Sequence, residues 1–145
     1  MINRNNKLYE KYPDLFPTQH ETEADMSFAS RGIECGEGWY ELLDGMFGVI
    51  MAHYADLRFR DDKIQIPEVA LVKEKFGTMR VFMGHTDAYV NGLVAMAESM
   101  SAHICEECGE KGVLHTKAWY KVRCHECYHT EDERAQKEWE KYRAK

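Results

Sequence analysis

Four of the five cysteines in this chain form two closely spaced pairs near its C-terminal end. The first pair is Cys105 and Cys108, with Gly109 next, and the second is Cys124 and Cys127. Two residues separate the cysteines of each pair, and fifteen residues separate the pairs. This spacing lets four thiolates reach one ion and is typical of a four-cysteine zinc site. We therefore predict one structural Zn²⁺ per chain, bound by all four.

The residues around these pairs predict a small metal module. Gly109 allows a tight turn after the first pair, and residues 113–115 and 120–123 can form a hairpin beneath the ion. Thr130 with Glu133 three residues later is a capping box, which predicts that a charged terminal helix begins at Thr130. Turn, hairpin and helix in this order indicate a treble clef, with a zinc ribbon as the alternative. The terminal helix carries an apolar stripe, which either docks on the metal module or offers a surface to a partner helix. Its residues are Ala135, Trp139 and Tyr142.

Other metal chemistries are less well supported by the pattern. His125 or His129 can replace one cysteine in a Cys₃His site, and a rubredoxin-like iron site is a second alternative. A catalytic zinc keeps an open position, whereas four cysteines fill a tetrahedral shell. A nuclease is the least unlikely enzyme, but His115 between the pairs has no evident partner histidine. We expect the protein not to be an enzyme.

The preceding part of the chain predicts an α+β core with helices packed on a β-hairpin or small antiparallel sheet. Apolar residues at three- and four-residue steps predict a helix over 39–58, and a second helix runs from a cap at Thr86 or Asp87 to about residue 103. Strands over 69–73 and 78–83 flank a turn in which Gly77 can take a positive φ. We place the core in residues 1–103 and the metal module in 104–145, as one compact unit.

The region before the long helix is harder to assign. A short helix over 4–12 ends before two prolines, and residues 18–38 carry glycines and acidic residues that predict a loop. Two single residues are given structural rather than chemical roles. Cys35 is expected to be a small buried thiol, and His53, on the apolar face of the long helix, a hydrogen-bonded core histidine.

Composition limits the classes of partner. The formal net charge is −6, which disfavours duplex nucleic acid and suits a basic protein surface. No stretch is apolar and long enough for a signal core or a membrane span, so we expect a reducing cytoplasm, where cysteine pairs favour metal over disulfide. The oligomeric state is not predicted by any pattern.

One basic cluster stands out in this acidic chain, at the predicted hairpin. Lys73, Lys75 and Arg80 surround the turn, and Phe76 at its tip can stack on a base or fill a partner's pocket. These residues are candidates for binding an anion, a nucleotide or a nucleic acid. The competing interpretation is a solvated hairpin whose charges deter edge pairing.

Four blocks of sequence occur in a characteristic order, at residues 38–43, 72–82, 96–101 and 105–109. Over residues 31–127 they resemble a group of small zinc-binding proteins encoded by tailed bacteriophages and prophages. The group's last ligand varies towards histidine, where this chain has Cys127. The resemblance implies an accessory protein made in an infected bacterium. By analogy, such a protein binds a host protein, with inhibition of a defence system as one form of that action.

Overall fold

The computed structural model describes residues 3–17, 31–117 and 119–143, and it is an α+β fold with a small mixed sheet. The chain order is α1 (Asn6–Lys11), a 3-10 turn (Pro13–Leu15), β1 (Gly32–Glu34), a second 3-10 turn (Glu37–Trp39), α2 (Tyr40–Arg60), β2 (Glu68–Lys75), β3 (Thr78–Gly84), α3 (Ala88–Ser101), β4 (Val113–His115), β5 (Lys121–Arg123) and α4 (His125–Arg143).

The predicted hairpin forms two of the three strands of the sheet, with β2 at its centre and β3 at one edge. β2 and β3 pair antiparallel, with Lys75 opposite Thr78, so that Phe76 and Gly77 alone form the turn. Both turn residues have positive φ, 54° at Phe76 and 83° at Gly77, as a type I′ turn requires. The inner face of this hairpin packs on α2 and α3 around a core that includes Phe47, Ile50, Val72, Met79 and Val90.

The expectation of a purely antiparallel sheet and of a loop over residues 18–38 was wrong in one respect. Gly32–Glu34 forms β1, which pairs parallel with β2. Its three residues are too few to show an alternating pattern, and its partners lie about forty positions away in the chain. The earlier part of the predicted loop, residues 18–30, lies outside the described residues.

The two long helices of the core follow the predicted patterns. α2 begins at Tyr40, one residue after the predicted start, and ends at Arg60, two residues after the predicted end, and it buries Leu43, Phe47 and Ile50. α3 begins after Asp87, whose carboxylate accepts a hydrogen bond from the backbone N–H of Val90 at 2.8 Å. This bond is an N-cap, as the sequence predicted.

The capping box predicted for the terminal helix was wrong. α4 begins at His125, five residues earlier, so Thr130 lies inside the helix. There its hydroxyl donates to the carbonyl oxygen of Glu126, four residues back, at 2.9 Å. The second cysteine pair itself begins the helix, a constraint that a capping motif does not reveal.

Candidate metal centre and neighbouring surfaces

The four predicted metal ligands lie together near the C-terminal end of the described chain. The sulfur atoms of Cys105, Cys108, Cys124 and Cys127 all lie within 4.8 Å of one another. Cys108 Sγ is 3.6 Å from Cys124 Sγ. Zn²⁺ with four Zn–S bonds of about 2.3 Å requires sulfurs roughly 3.8 Å apart. The cluster therefore has the size and the donor set that a tetrahedral ion such as Zn²⁺ requires.

Local backbone geometry aims these sulfurs inward. Gly109 has a φ of 82°, and its N–H donates to the carbonyl oxygen of Cys105 at 2.9 Å, which closes the turn around the first pair. β4 and β5 pair as the predicted hairpin and return the chain to the second pair. The N–H of Cys127 lies 3.4 Å from Cys124 Sγ, at the N-terminal end of α4. Helix N-termini favour negative charge, such as that of a thiolate.

The thiols differ in how readily they ionise. Burial alone raises the pKa of Cys105, but hydrogen bonds from backbone N–H groups, including those of Cys124 and Cys108, outweigh it and bring the pKa to about 7. Burial, and then the neighbouring thiols, raise the pKa of Cys127. Four anionic sulfurs this close repel one another, so a divalent cation is what lets them ionise together.

A tetrahedral ion bound by four thiolates has no position left for water or substrate. What such an ion can do here is hold three pieces of chain together: the turn that follows α3, the β4–β5 hairpin and the start of α4. Few buried apolar side chains hold these three pieces together. A metal ion bound here would therefore be coupled to the folding of this module.

Buried polar groups attach the metal module to the core. Glu106 is 9% exposed, and its carboxylate lies 3.1 Å from Arg123 Nη1 and accepts the N–H of Gly36 at 3.0 Å. Its carbonyl oxygen accepts the N–H of Gly38 at 2.7 Å. Burial lowers the pKa of Arg123, but the contact with Glu106 and further carboxylates raise it by more. These residues, with Trp39, form what we call the seam.

Trp39 completes the seam from the core side. Its ring is fully buried, and Nε1 donates to the carbonyl oxygen of Ile104 at 2.9 Å. Gly38 is required here, since a Cβ would lie 2.2 Å from the carbonyl oxygen of Cys105. The entry into α2 and the first metal ligand are thus in direct contact. Sequence reasoning predicted a loop here and found no such contact.

The predicted binding residues of the hairpin lie in two neighbouring places, the outer face of the sheet and the turn. Lys73 and Arg80 are opposite each other in the β2–β3 register, on the face of the sheet away from α2 and α3. Lys75 ends β2, and Phe76 projects from the turn with 65% of its side chain exposed. Nothing else in the described chain forms an ion pair with these three cations.

A cleft of about 760 Å³ lies beside the contact between the tip of this hairpin and the metal module. Phe76 borders it on one side, and Trp119 and Tyr120 border it on the other, at 83% and 50% exposure. The rings of Phe76 and Tyr120 meet edge to face, with centroids 6.3 Å apart. Sequence reasoning missed Trp119 and Tyr120, although two aromatic residues in a loop between metal ligands were a visible signal.

A second surface lies between α2 and α3. It is a groove of about 450 Å³ with almost wholly apolar walls, in which Val49, Met96 and Met100 are 42%, 57% and 44% exposed. Met100 of α3 faces this groove instead of the buried core. The available signal was the width of the apolar pattern on α3, which exceeds the single stripe that one packed face needs.

Cys35 is the buried thiol that the sequence predicted, whereas His53 is hydrogen-bonded as predicted but only partly buried, with 22% of its side chain exposed. His53 Nε2 lies 2.7 Å from Asp87 Oδ2, and its ring stacks on Tyr89 at 4.2 Å, so it is hydrogen-bonded within the fold. Cys35 is 6% exposed, and burial raises its pKa to about 12, which makes it a poor nucleophile.

The apolar stripe of the terminal helix does not dock on the metal module. Trp139 and Tyr142 are 64% and 78% exposed, and α4 buries none of its described residues. None of the described helices combines the length and the apolar character needed to cross a membrane.

Comparison with known proteins finds no relative of this chain. No protein-family model, no curated protein and no solved structure matches the chain.

Proposed function

We propose that this chain is a zinc-stabilised binding protein of bacteriophage type, which acts without catalysis on a host protein in the cytoplasm of an infected bacterium. Inhibition of a host defence system is the specific form of this proposal. The bacteriophage origin rests on the resemblance of the four sequence blocks. The type of action rests on the surfaces that the fold leaves open.

Zinc in a treble-clef arrangement is the first part of the proposal. The chain order supports it: one cysteine pair in a glycine turn, then the β4–β5 hairpin, then a second pair that begins α4. A zinc ribbon would place its second pair in another hairpin turn. Metal analysis of purified protein should give one zinc per chain, and iron or no bound metal would contradict this part.

The observation that carries the binding function is the groove between α2 and α3. Soluble proteins rarely leave a contiguous apolar surface open unless it contacts a partner. Methionine side chains adapt to varied partners because they are unbranched and polarizable, and Met96 and Met100 border this groove. Gly45 in its floor has no side chain, and a Cβ added there would meet no atom within 4 Å.

A helix-in-groove contact suits these dimensions. An amphipathic helix would insert apolar anchors at three- and four-residue steps between α2 and α3. The carboxylate of Glu41 at the groove edge is paired with Arg4, but the chain as a whole has a net charge of −6, so basic residues flanking the anchors would be attracted. The proposed partner is therefore a host protein that presents a basic amphipathic helix.

The test is a groove-filling substitution with a matched control. Gly45→Leu fills the groove, whereas Gly92→Leu makes the same change on α3 at another site with no neighbour within 4 Å. Zinc-loaded protein of each type is used to capture host proteins, and the dissociation constant of any captured partner is then measured with purified components. We expect Gly45→Leu to weaken binding by about tenfold or more, while Gly92→Leu changes it little.

Three results would contradict the proposal. Equal capture by both variants would mean that the groove is not the contact surface. Sedimentation that shows wild-type dimers and Gly45→Leu monomers would assign the groove to a second copy of the chain. Turnover of a nucleotide or nucleic acid by the pure protein, lost on a single substitution, would make it an enzyme.

A further inference from the structure

We propose that the exposed face and tip of the β2–β3 hairpin form a second binding site, for single-stranded nucleic acid. We call this surface the hairpin strip. It lies on the side of the sheet opposite α2 and α3, so it is separate from the apolar groove. Its members are Lys73, Lys75, Phe76, Arg80 and Phe82, with Trp119 and Tyr120 across the tip cleft.

The pairing register places these side chains in one line. Lys73 and Lys75 are two residues apart on β2, and Arg80 and Phe82 are two apart on β3, so each pair shares the outer face. From Phe82 to the turn the strip is about 20 Å long, at roughly 3.3 Å per residue. It then reaches the cleft beside Tyr120, where the carboxylates of Glu106 and Glu131 are paired with Arg123 and Lys121 and that of Glu74 accepts the N–H of Gly77. The result is a narrow track along which an extended chain can lie.

The charges on this track destabilise the sheet when no ligand is bound. Lys73 and Arg80 are directly opposite each other, and like charges in that position destabilise a strand pair. Lys73 also pairs in register with Glu34 of β1, but the Glu34 carboxylate is bound by Arg31 at 2.7 Å. Proteins break such local rules mainly at functional sites. An anionic ligand would turn this repulsion into attraction.

Exposed aromatic rings alternate with these cations. Lys73 Nζ lies 5.7 Å from the ring centre of Phe82, and Lys75 Nζ lies 5.5 Å from that of Phe76. Phe82 is 47% exposed and Trp119 83% exposed, so their faces are open to solvent. Cations beside open rings are the combination that binds single strands, because every base can stack and every phosphate is anionic.

The backbone at the tip supports a functional role for Phe76. A bulky residue with a φ of 54° is disfavoured, and asparagine or glycine is the usual choice at this position of a type I′ turn. Such a strained conformation is typical of binding sites. Phe76 is also mostly exposed, so packing in the core does not offset that strain.

Single strands fit this strip better than the alternatives do. Duplex DNA hides its base faces in the stack, so the exposed rings of the strip would have no base to stack on. An acidic protein segment would use the cations but would leave four exposed aromatic rings unexplained. Only ligands with both anionic groups and open aromatic faces use every residue of the strip.

The test is fluorescence anisotropy with zinc-loaded full chain and a labelled single strand of about 12 nucleotides. The same sequence as a duplex, and polyglutamate as a polyanion without bases, are the comparison ligands. We expect Phe76→Asn, which also suits the turn, to weaken binding roughly five- to a hundredfold. The double variant Lys73→Gln with Arg80→Gln should flatten the salt dependence by about 1.4 logarithmic units per tenfold change in salt.

Matched controls lie on exposed residues near the end of α2. Phe59 is 90% exposed, so Phe59→Ala removes an aromatic residue away from the strip. Arg58→Gln with Lys63→Gln removes the same charge as the double variant. We expect both controls to bind like wild type.

Several outcomes would overturn the proposal. It fails if the wild-type protein does not bind the single strand, or binds duplex or polyglutamate equally well. It also fails if the controls weaken binding as much as the strip variants do. A strip variant that lost zinc or its circular dichroism spectrum would be replaced by Trp119→Ala, for which the same loss of affinity is expected. The groove tests are unaffected by any of these results.

Discussion

The core and the metal module are held together by different forces. The core buries a continuous apolar cluster from α1, the sheet, α2 and α3, with Trp39, Phe47 and Ile50 fully buried. In the described chain after residue 103, Cys105 and Val122 are the buried apolar side chains. The module therefore lacks the hydrophobic area that stabilises the core, and a metal ion bound by the four cysteines would supply stability in its place. This difference can be tested by perturbing each region in turn.

The largest effect is expected from removing the metal. Chelation, or Cys124→Ser, should unfold the module, because structural zinc contributes apparent binding energies of about 10–16 kcal/mol in small finger peptides. Hydrogen exchange measured by mass spectrometry should show lost protection in residues 104–131 and retained protection in α2 and β2–β3. Cys35→Ser, a cysteine outside the cluster, should leave the zinc content at one per chain. Unchanged protection around Cys105 after chelation would refute a metal-dependent module.

The next largest effect is expected from shortening one buried side chain in the core. Phe47 is fully buried against Phe16, with ring centroids 5.4 Å apart, and Phe47→Ala should lower the free energy of unfolding by about 3–5 kcal/mol. Urea denaturation of zinc-loaded protein measures the change. Phe59→Ala, at 90% exposure, should change it by less than about 0.5 kcal/mol. Similar losses in both variants would mean that Phe47 is not in a packed core.

A smaller effect should appear when the seam between the regions is altered. Gly38→Ala places a Cβ 2.2 Å from the carbonyl oxygen of Cys105, and overpacking of this kind costs about 1–3 kcal/mol. Zinc affinity should weaken along with thermal stability, because the strained contact adjoins a ligand. Gly45→Ala, with no neighbour in reach, should stabilise α2 by up to about 1 kcal/mol. If Gly38→Ala changes neither quantity, the two regions are not coupled through this contact.

The smallest effect concerns the charge on Asp87. The N–H of Val90 and then His53 lower the pKa of Asp87, so its ionised form stabilises the fold above the ordinary aspartate pKa of about 4. That contribution is lost as pH falls through the lowered pKa. Asp87→Asn keeps a capping side chain and should cost less than about 1 kcal/mol at neutral pH.

The pH dependence separates this charge effect from a packing effect. The stability difference between wild type and Asp87→Asn should shrink to zero below the lowered pKa, when measured on metal-free protein so that thiolate protonation does not contribute. Asp56→Asn, in an exposed pair with Arg60, is the control and should cause little change at any pH. A difference that persists in acid would assign the role of Asp87 to packing.

Local patterns in the sequence predicted most of the elements. The cysteine spacing indicated the cluster, the helical period indicated α2, and Gly77 indicated the hairpin turn. Each of these signals lies within a few residues of the structure that it specifies. β1 was missed because its pairing depends on distant residues, and the start of α4 was misplaced because the metal ligands begin that helix.

The surfaces were harder to predict than the elements. The tip cleft exists because Gly77 packs against the metal module, where an added Cβ would lie 2.5 Å from Leu114 Cδ1. The groove depends on how far apart α2 and α3 lie. Both features come from packing between elements that are remote in the chain, which residue type and spacing do not encode.

The seam has a consequence for how the chain is made. A ribosome releases residues 36–60 well before the four clustered cysteines, because synthesis proceeds at about 5–20 residues per second. Until the later segment arrives, the Gly38 amide and the Trp39 indole lack their acceptors on Glu106 and Ile104. The segment around Gly38 and Trp39 is therefore exposed until the later part of the chain folds against it, and zinc uptake would be the final step of maturation. Cells starved of zinc should accumulate a protease-sensitive form that is cut in this segment.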